Sequence, residues 1–340
     1  MIEKQQNRIQ ELDAMRGIAA ISVVLFHYTM GNSYSFRQGG TGVDLFFIIS
    51  GFVISLTLAK TSSWKDFAVN RLSRLYPTYW IVVSFTAIVS ILAGVAVTFP
   101  QYCANLTMFQ SYFNIDDIDW PYWTLMVEMI FYICMVILFT TKMLQQIEFL
   151  GLAFVALLIP LHSEFVLTNY PGYHRAIILW FPMVVYFPLF FSGIIFYRIK
   201  FDKPTLFRYV LVLLCFVVQI WLFRVGFRRT FTLTRIEYLG MLTIWFSMFL
   251  LYVNNKLAFL VNKLTLFLGA LSFSLYLVHQ FIGLHVFIPF FSTTLKLPHI
   301  VSIGISLLFI VGISYCIMIF VEKPSMNYIR FKYRLYKQNK

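Results

Sequence analysis

The first long apolar segment of this chain carries an arginine and a histidine, Arg16 and His27, which lie eleven positions apart. At about 100° per residue, this separation turns an α-helix through about 1,100°, which is about 20° more than three full turns. Both side chains therefore share one face, roughly 16 Å apart along the helix axis. Ionisable groups are costly inside a bilayer and mark candidate functional sites. Histidine is also well suited to proton transfer near neutral pH.

The composition predicts a membrane protein. Of the 340 residues, 60% are hydrophobic and 12% are charged, and the mean hydropathy is +0.77. Apolar runs of about 20 residues recur along the chain, which indicates a polytopic α-helical protein. The runs are continuous and do not alternate as the strands of an outer-membrane barrel do. We predict an all-α bundle of about ten spans, at 14–31, 42–60, 77–98, 123–141, 147–162, 175–198, 206–223, 236–253, 265–290 and 299–321.

The distribution of basic residues predicts the orientation. With a cytoplasmic N-terminus, 20 of the 27 Lys and Arg residues fall on the inner side, and such a bias is typical of cytoplasmic loops. We therefore expect both termini in the cytoplasm and a single transmembrane domain over 1–340, ending in a short basic tail from about 322. We expect a multi-pass protein of the cell inner (plasma) membrane, in contact with membrane lipid. The bias of Lys and Arg to the inner side also accounts for the net charge of +13 without a nucleic-acid partner.

The cysteines and one connecting segment bear on the type of site. The four cysteines form no disulfide framework, and Cys and His show no metal-ligand spacing, so we expect no metal. The loop 99–122 contains Asp116, Asp117 and Asp119 but no Lys or Arg. We expect it to cover the outer face as a solvated loop.

Glu128 and Asp44 are candidate partners of His27 because their spans place them toward the outer side, at a similar depth. An acid beside an imidazole can form the couple that activates a hydroxyl nucleophile. Each residue also has a structural interpretation. Glu128 could pair with an arginine or a tyrosine, and Asp44 begins a span where a carboxylate stabilises the helix N-terminus.

Arg71 and Arg74 lie at the predicted inner end of the third span, and their spacing places them on one helix face. Two guanidinium groups on one face can hold a phosphate or a pyrophosphate, although basic residues also flank spans for topology alone. Tyr276 and His279 share a face of a later span and could line the same cavity or form a packed polar pair. Arg228 and Arg229 belong to an outward basic cluster that fits an acidic acceptor or, equally, helix ends that reach the interface.

Taken together, these residues and their spacing resemble the membrane acyltransferase-3 family. The resemblance is carried by five sequence features in order: Leu12–Gly17 followed by His27, Gly42–Phe52, Arg71 with Arg74, Trp123–Glu128, and Ser272–His279. The first of these matches the family's Arg-x10-His motif.

The resemblance implies about ten spans and the transfer of an acyl group, usually acetyl, from cytoplasmic acyl-CoA to an extracytoplasmic sugar hydroxyl. It implies that Arg16, His27, Arg71 and Arg74 are functional, and it supports Asp44 and Glu128. Some relatives carry an additional soluble esterase-like domain. We expect this chain to complete the transfer itself or with a separate periplasmic partner.

The resulting hypothesis places the acetyl-CoA phosphates on Arg71 and Arg74 and the thioester near His27. His27 would act as general base on a sugar hydroxyl, with Glu128 or Asp44 holding its ring and Arg16 positioning the donor. A transient acyl-histidine is a variant of the same scheme. Substrate contacts would come from Tyr276, His279, Arg228 and Arg229.

The sequence leaves several alternatives open. A transporter or flippase for a polysaccharide or a lipid-linked oligosaccharide also uses intramembrane charges. The acceptor could be a lipopolysaccharide O-antigen, an exopolysaccharide or a lipid-linked sugar. A homo-oligomer and a monomer fit the sequence equally.

Overall fold

The computed structural model describes residues 9–30, 35–223, 225 and 233–339. Every regular element within these ranges is helical, which confirms the all-α class. The α-helices of the described residues are α1 (Gln10–Thr29), α2 (Gly42–Ala59), α3 (Trp64–Leu92), α4 (Phe99–Asn105), α5 (Trp123–Thr140), α6 (Ile147–Leu161), α7 (Glu164–Asn169), α8 (Pro171–Trp180), α9 (Met183–Phe201), α10 (Leu206–Leu222), α11 (Arg235–Val253), α12 (Lys263–Phe281), α13 (His299–Ile317) and α14 (Lys323–Gln338).

In the described part of the chain, eight helical segments are long and apolar enough to cross a membrane. Two further helices match predicted spans. α10 is apolar but shorter, and α1 has 20 residues that include Asp13, Arg16 and His27. These charged and polar residues lower the hydropathy of α1, yet they are the residues that mark it as functional. The helical architecture therefore agrees with the predicted polytopic bundle, whereas the cytoplasmic placement of the termini stays a prediction.

The third predicted span, 77–98, starts too late in the chain. α3 begins at Trp64, where Ser63 caps the helix by accepting a hydrogen bond from the backbone N–H of Lys65 at 3.1 Å. Pro77 lies inside α3 and does not end it, because a membrane helix can satisfy the lost backbone hydrogen bond in other ways. Arg71 and Arg74 consequently lie on a continuous helix, as their spacing predicted.

The sixth predicted span, 175–198, is interrupted. α8 ends at Trp180 and α9 begins at Met183, directly after Pro182. Proline lacks the backbone N–H that a helix interior needs, so it favours a helix start. The membrane-spanning candidate here is α9 alone.

The segment between α3 and α5 is not a solvated loop throughout. It contains α4, which Thr98 caps through the backbone N–H of Gln101, and two short 3-10 turns at Gln110–Phe113 and Trp120–Tyr122. Asp119 is only 3% exposed. The expectation of a solvated acidic loop was therefore wrong for Asp119, whose carboxylate is bound by backbone groups.

The described residues divide into two compact units. The first unit consists of the described residues within 1–23, 36–60 and 127–270, and the second unit of those within 24–35, 61–126 and 271–340. α1, α5 and α12 each contribute residues to both units.

In the first unit, α2 and α9 approach each other closely through glycine. A Cβ atom added at Gly51 would lie 2.0 Å from the Phe190 carbonyl oxygen, and one added at Gly193 would lie 2.0 Å from the Ile48 carbonyl oxygen. Without a hydrophobic driving force between helices in lipid, such close backbone packing is a main source of association. Phe131 stacks on Phe190 beside this crossing, with ring centroids 4.3 Å apart.

In the second unit, α14 packs along α3. Lys337 forms an ion pair of 2.8 Å with Asp66, and the Tyr333 hydroxyl donates to the same carboxylate at 3.0 Å. The residues predicted as a short basic tail are thus a docked helix over most of their length.

We predict that Gly51→Ala destabilises the protein and that Gly240→Ala does not. The added methyl at Gly51 meets a backbone carbonyl that cannot move independently, and overpacking of this kind costs about 1–3 kcal/mol. Nothing lies within 4 Å of a Cβ atom at Gly240, in α11 of the same unit, where alanine gains up to about 1 kcal/mol in helix propensity. Thermal unfolding of the purified variants in detergent measures both effects. Equal unfolding temperatures for Gly51→Ala and the wild type would contradict the close crossing.

Candidate functional site

The end of α1 is joined to α12 by a buried hydrogen bond in the second unit. The Tyr28 hydroxyl donates to the carbonyl oxygen of His279 at 2.9 Å. Because Tyr28 directly follows His27, this bond fixes the position of the His27 backbone against α12. The side chains of His27 and His279, which lie 252 positions apart in the sequence, are thereby held next to each other.

His27 and His279 form an imidazole pair, with ring centroids 5.2 Å apart. The Trp120 ring lies almost perpendicular to the His27 ring, with an angle of 87° between the planes and a centroid distance of 5.9 Å. Both imidazoles are buried, His27 at 5% exposure and His279 at 0%. The structure therefore brings together two histidines that the sequence analysis had singled out separately.

The hydrogen bond of His279 determines which of its nitrogens is basic. His279 Nδ1 lies 2.8 Å from the carbonyl oxygen of Tyr276. A carbonyl oxygen only accepts hydrogen bonds, so Nδ1 carries the hydrogen and the Nε2 lone pair stays available in the neutral ring. Within the described residues, neither Nε2 of His279 nor Nδ1 of His27 has a hydrogen-bond partner. Buried polar atoms of this kind are uncommon and point to a functional role.

α12 does not continue as a regular helix past this site. It is followed by π-type turns at Ile282–Phe287 and Phe290–Thr294. Single π-type turns are frequent at functional sites. Gly283 is required here, because a Cβ atom at this position would lie 1.9 Å from the Tyr28 hydroxyl oxygen.

Asp119 supports the same region from the α4–α5 connection. Its Oδ2 accepts a hydrogen bond from the backbone N–H of Phe281 at 3.1 Å, and its carboxylate also accepts from the N–H of Trp120. Asp119 thus links the end of α12 to the turn that places Trp120 beside His27. Burial raises the pKa of Asp119 to about 7 and outweighs the lowering by its backbone hydrogen bonds.

Tyr276 has a defined place in this site. Its hydroxyl shares a hydrogen bond of 2.7 Å with the Thr124 hydroxyl and donates to the carbonyl oxygen of Pro121 at 3.1 Å. Its ring centroid lies 5.7 Å from that of His279. Tyr276 and His279 therefore belong to one cluster, and the hydrogen bonds of Tyr276 secure the start of α5.

Glu128 and Asp44 both belong to the first unit. One carboxylate oxygen of Glu128 accepts hydrogen bonds from the Ser50 hydroxyl, at 2.8 Å, and from the Tyr132 hydroxyl. Asp44 is fully buried in the first turn of α2, where the helix dipole favours a carboxylate. The predicted support of the His27 ring by Glu128 or Asp44 stays a prediction.

The predicted cofactor-binding arginines are half-buried. Arg16 lies on α1 in the first unit, and Arg71 and Arg74 lie on α3 in the second unit. The Arg71 guanidinium lies 5.9 Å from the ring centroid of Phe67, one helical turn earlier. Arg228 and Arg229, predicted as acceptor-binding residues, lie outside the described residues.

Three residues of the imidazole site were not identified from the sequence as functional: Tyr28, Asp119 and Trp120. Asp119 was grouped with its acidic neighbours, and a charged loop is usually solvated. Two signals were present, since Asp119 precedes Trp120-Pro121, a pair suited to a buried turn, and Tyr28 directly follows the first candidate histidine. Neither signal reveals which helix the residue contacts.

Comparisons with known proteins give the family of this chain. Residues 9–320 match the family model described as an acyltransferase domain. The exopolysaccharide production protein ExoZ of Rhizobium meliloti is 30% identical over 32% of this chain and 37% of its own length. The peptidoglycan O-acetyltransferase OatA of Listeria monocytogenes is 27% identical over 37% of this chain and 23% of its own length. A putative O-acetyltransferase of Staphylococcus aureus is 23% identical over 81% of this chain and 51% of its own length.

The fold and the imidazole site define an all-α, polytopic membrane protein with a buried centre suited to proton transfer. Because the family match covers most of its length, the chain belongs to the acyltransferase-3 family. The matched regions span between about a quarter and a half of the three relatives' own lengths. No solved structure matches this chain.

We predict that Asp119→Asn preserves the site and that Asp119→Leu does not. Asparagine keeps an oxygen that accepts from the Phe281 N–H, whereas leucine leaves that buried donor unpaired at a cost of about 1–3 kcal/mol. The raised pKa means that Asp119 stabilises the fold most at low pH and that this contribution is lost as the pH rises through about 7. Asparagine does not titrate, so Asp119→Asn should lose less stability than the wild type between pH 5 and pH 8. Thermal unfolding across this range measures both effects, and identical pH profiles would contradict the assignment.

Proposed function

We propose that this protein is a membrane O-acetyltransferase that moves an acetyl group from cytoplasmic acetyl-CoA to a hydroxyl of an extracytoplasmic sugar. The acceptor is part of a surface polysaccharide, and the protein acts in the cell inner membrane. The observation that carries the proposal is the buried pair of His27 and His279. The hydrogen bond from His279 Nδ1 to a backbone carbonyl leaves the lone pair of His279 Nε2 available as a base. Family membership supplies the class of reaction.

The imidazole pair suits the transfer of an acyl group to a hydroxyl. The sugar oxygen attacks the thioester carbonyl carbon, the new C–O bond forms and the C–S bond breaks. The hydroxyl proton passes to a histidine nitrogen, and the CoA sulfur takes it up on leaving, so that free CoA and an O-acetyl sugar result. A positioned general base of this kind accelerates a reaction by about 10²- to 10⁴-fold.

His27 is the proposed base, because the family resemblance assigns it and because α1 presents it to the His279 ring. His279 is the proposed positioning partner, and its available Nε2 can accept a proton or a substrate hydroxyl hydrogen. The Trp120 ring packs against His27 and is proposed to help exclude water, which would otherwise hydrolyse the thioester.

Arg71 and Arg74 are the proposed ligands of the donor phosphates. They lie three positions apart on α3, and guanidinium groups bind phosphate oxygens through charge-assisted hydrogen bonds. Arg16, Asp44 and Glu128 are proposed as functional on the strength of the family resemblance, Arg16 as a positioning residue for the donor.

The names of the relatives support a glycan acceptor. One relative is named for exopolysaccharide production and another for O-acetylation of peptidoglycan. We extend the shared chemistry, a sugar hydroxyl outside the cytoplasm, to this protein. Tyr276 is proposed to line the acceptor side of the imidazole pair, because its ring lies beside His279.

We predict that His27→Ala abolishes O-acetylation and that His285→Ala preserves it. Loss of the base lowers the reaction rate by about 10²- to 10⁴-fold, so the acetyl content falls below detection. His285 is exposed and lies in the π-type turns after α12, so it controls for histidine replacement near the site. Proton NMR of the surface polysaccharide from cells with matched amounts of each variant measures the acetyl content. We expect His279→Gln to lower it as well.

Two outcomes would contradict the proposal. Full acetylation with His27→Ala would exclude His27 as base and as acyl carrier. Unchanged acetylation together with a changed amount of surface polysaccharide would favour a transporter or flippase.

A further inference from the structure

Two hydroxyl groups converge on one carboxylate oxygen of Glu128, on α5. Oε1 accepts a hydrogen bond from the Ser50 hydroxyl of α2 at 2.8 Å and another from the Tyr132 hydroxyl, one turn further along α5. Both donors are buried, at 7% and 6% exposure. All three residues belong to the first unit. The carboxylate is therefore fixed in position by two residues that have no role in the mechanism described so far.

The other carboxylate oxygen of Glu128 is open. Within the described residues, Oε2 forms no hydrogen bond and no basic side chain forms an ion pair with Glu128. An ionised carboxylate has about four acceptor sites, two on each oxygen, so Ser50 and Tyr132 leave those on Oε2 for a ligand. A carboxylate without an ion pair is costly in a membrane span and marks a functional site by default.

Glu128 faces away from the lipid. The side of α5 that is open to the surroundings carries Ile133 and Ile137, which are 48% and 54% exposed. At about 100° per residue, Glu128 points about 140° away from Ile133 and about 180° away from Ile137. Its neighbours Val127 and Met129 are buried, yet Glu128 itself is partly exposed. Its accessible surface therefore opens into a recess of the protein.

The side of α2 that carries Ser50 borders a recess as well. Phe46, Val53 and Thr57 are half-buried, and their spacing from Ser50 places all four residues on one helix face. No residue of α2 in the range 42–58 is exposed, so this partly accessible face is not an open lipid-facing surface. A mostly apolar recess with a few placed polar groups is typical of a ligand site.

We propose that Glu128 binds the acceptor sugar, with Ser50 and Tyr132 as its positioning residues. This inference rests on the proposed function, which supplies a glycan as the acceptor. Oε2 accepts charge-assisted hydrogen bonds from hydroxyl groups of the sugar, and a polysaccharide presents many hydroxyl groups besides the one that is acetylated. The predicted topology places Glu128 toward the outer side, where the glycan lies.

Two other ligands share part of this chemistry. A metal ion would neutralise the carboxylate, but the described residues contain no group of three His, Cys, Asp or Glu side chains that could hold one. The pantetheine arm of the donor carries amide N–H groups and a hydroxyl group, which are spread along a chain. Neighbouring hydroxyl groups of a sugar ring can both reach one oxygen atom, so the sugar fits the open acceptor sites of Oε2 better.

The test uses the full chain in nanodiscs and oligosaccharides released from the de-O-acetylated surface polysaccharide of the same cells. Binding of the fluorescently labelled oligosaccharides, their KM in acetyl transfer and the affinity for CoA are measured for each variant. Glu128→Gln should weaken oligosaccharide binding and raise its KM by about 10- to 100-fold, the range for losing a hydrogen bond to a charged group. The kcat and the affinity for CoA should stay near those of the wild type.

Ser50→Ala tests the positioning role, and Ser55→Ala is its matched control. Ser50→Ala should raise the KM several-fold, but it should add nothing in the Glu128→Gln background, because it acts through Glu128. Ser55 is buried on the same helix and donates to the carbonyl oxygen of Gly51 at 2.9 Å. Its replacement should change the KM by less than about twofold, since only a bond within its own helix is lost. Thermal unfolding without ligand establishes that each variant is folded.

Each other outcome has a distinct meaning. Unchanged oligosaccharide binding in Glu128→Gln, with normal transfer by the wild type, would exclude the subsite and leave the proposed function intact. A lower kcat at unchanged KM would give Glu128 a part in the reaction itself and overturn the inference. Weaker CoA binding alone would assign the cluster to the pantetheine arm. Additive losses in the double variant would exclude Ser50 as a positioning residue.

Failure of the proposed function is recognised separately. A wild type that binds the oligosaccharides through Glu128 but transfers no acetyl group would contradict the proposed reaction and retain the sugar subsite. A wild type that neither binds them nor acetylates them would overturn both.

Discussion

The structure depends on one constraint: a polar group in an apolar helix must find its partner inside the protein, because the hydrocarbon of a bilayer offers none. Glu128 accepts hydrogen bonds from Ser50 and Tyr132. Glu322 accepts one from Ser274 at 2.8 Å. Nδ1 of His27 and Nε2 of His279 are among the buried side-chain atoms that lack such partners within the described residues. Their neighbours Tyr28, Asp119 and Tyr276 are all hydrogen-bonded.

The sequence predicts the helices well because each is defined locally. Hydrophobic runs of bilayer length predict the spans, and the spacing of Arg71 and Arg74 predicts their common face on α3. The sequence predicts the starts of α3 and α9 less well. The start of α3 depends on a cap at Ser63, and the start of α9 depends on Pro182. Local signals of one or two residues decide these boundaries, and an apolar run does not contain them.

The site was predictable only in parts. His27 and His279 are each recognisable as polar residues in apolar spans, but their contact joins residues 252 positions apart and depends on the irregular turns after α12. Asp119 was misjudged because charge alone does not distinguish a solvated carboxylate from one that binds two backbone N–H groups. The basic tail was not recognised as a docked helix, since nothing in its sequence context reveals the packing of α14 on α3.

A neutral imidazole pair is the kind of base that a buried membrane site can hold at low cost. A carboxylate placed there would carry its desolvation penalty in every resting enzyme molecule, whereas a neutral histidine carries none until it accepts a proton. In the proposed transfer from acetyl-CoA, the imidazolium is then costly, and the departing thiolate beside it is costly too. The transfer of one proton between them neutralises both charges at once. This cost favours a mechanism in which the base that deprotonates the sugar also protonates the leaving sulfur, so that charge exists in the site only during the chemical step.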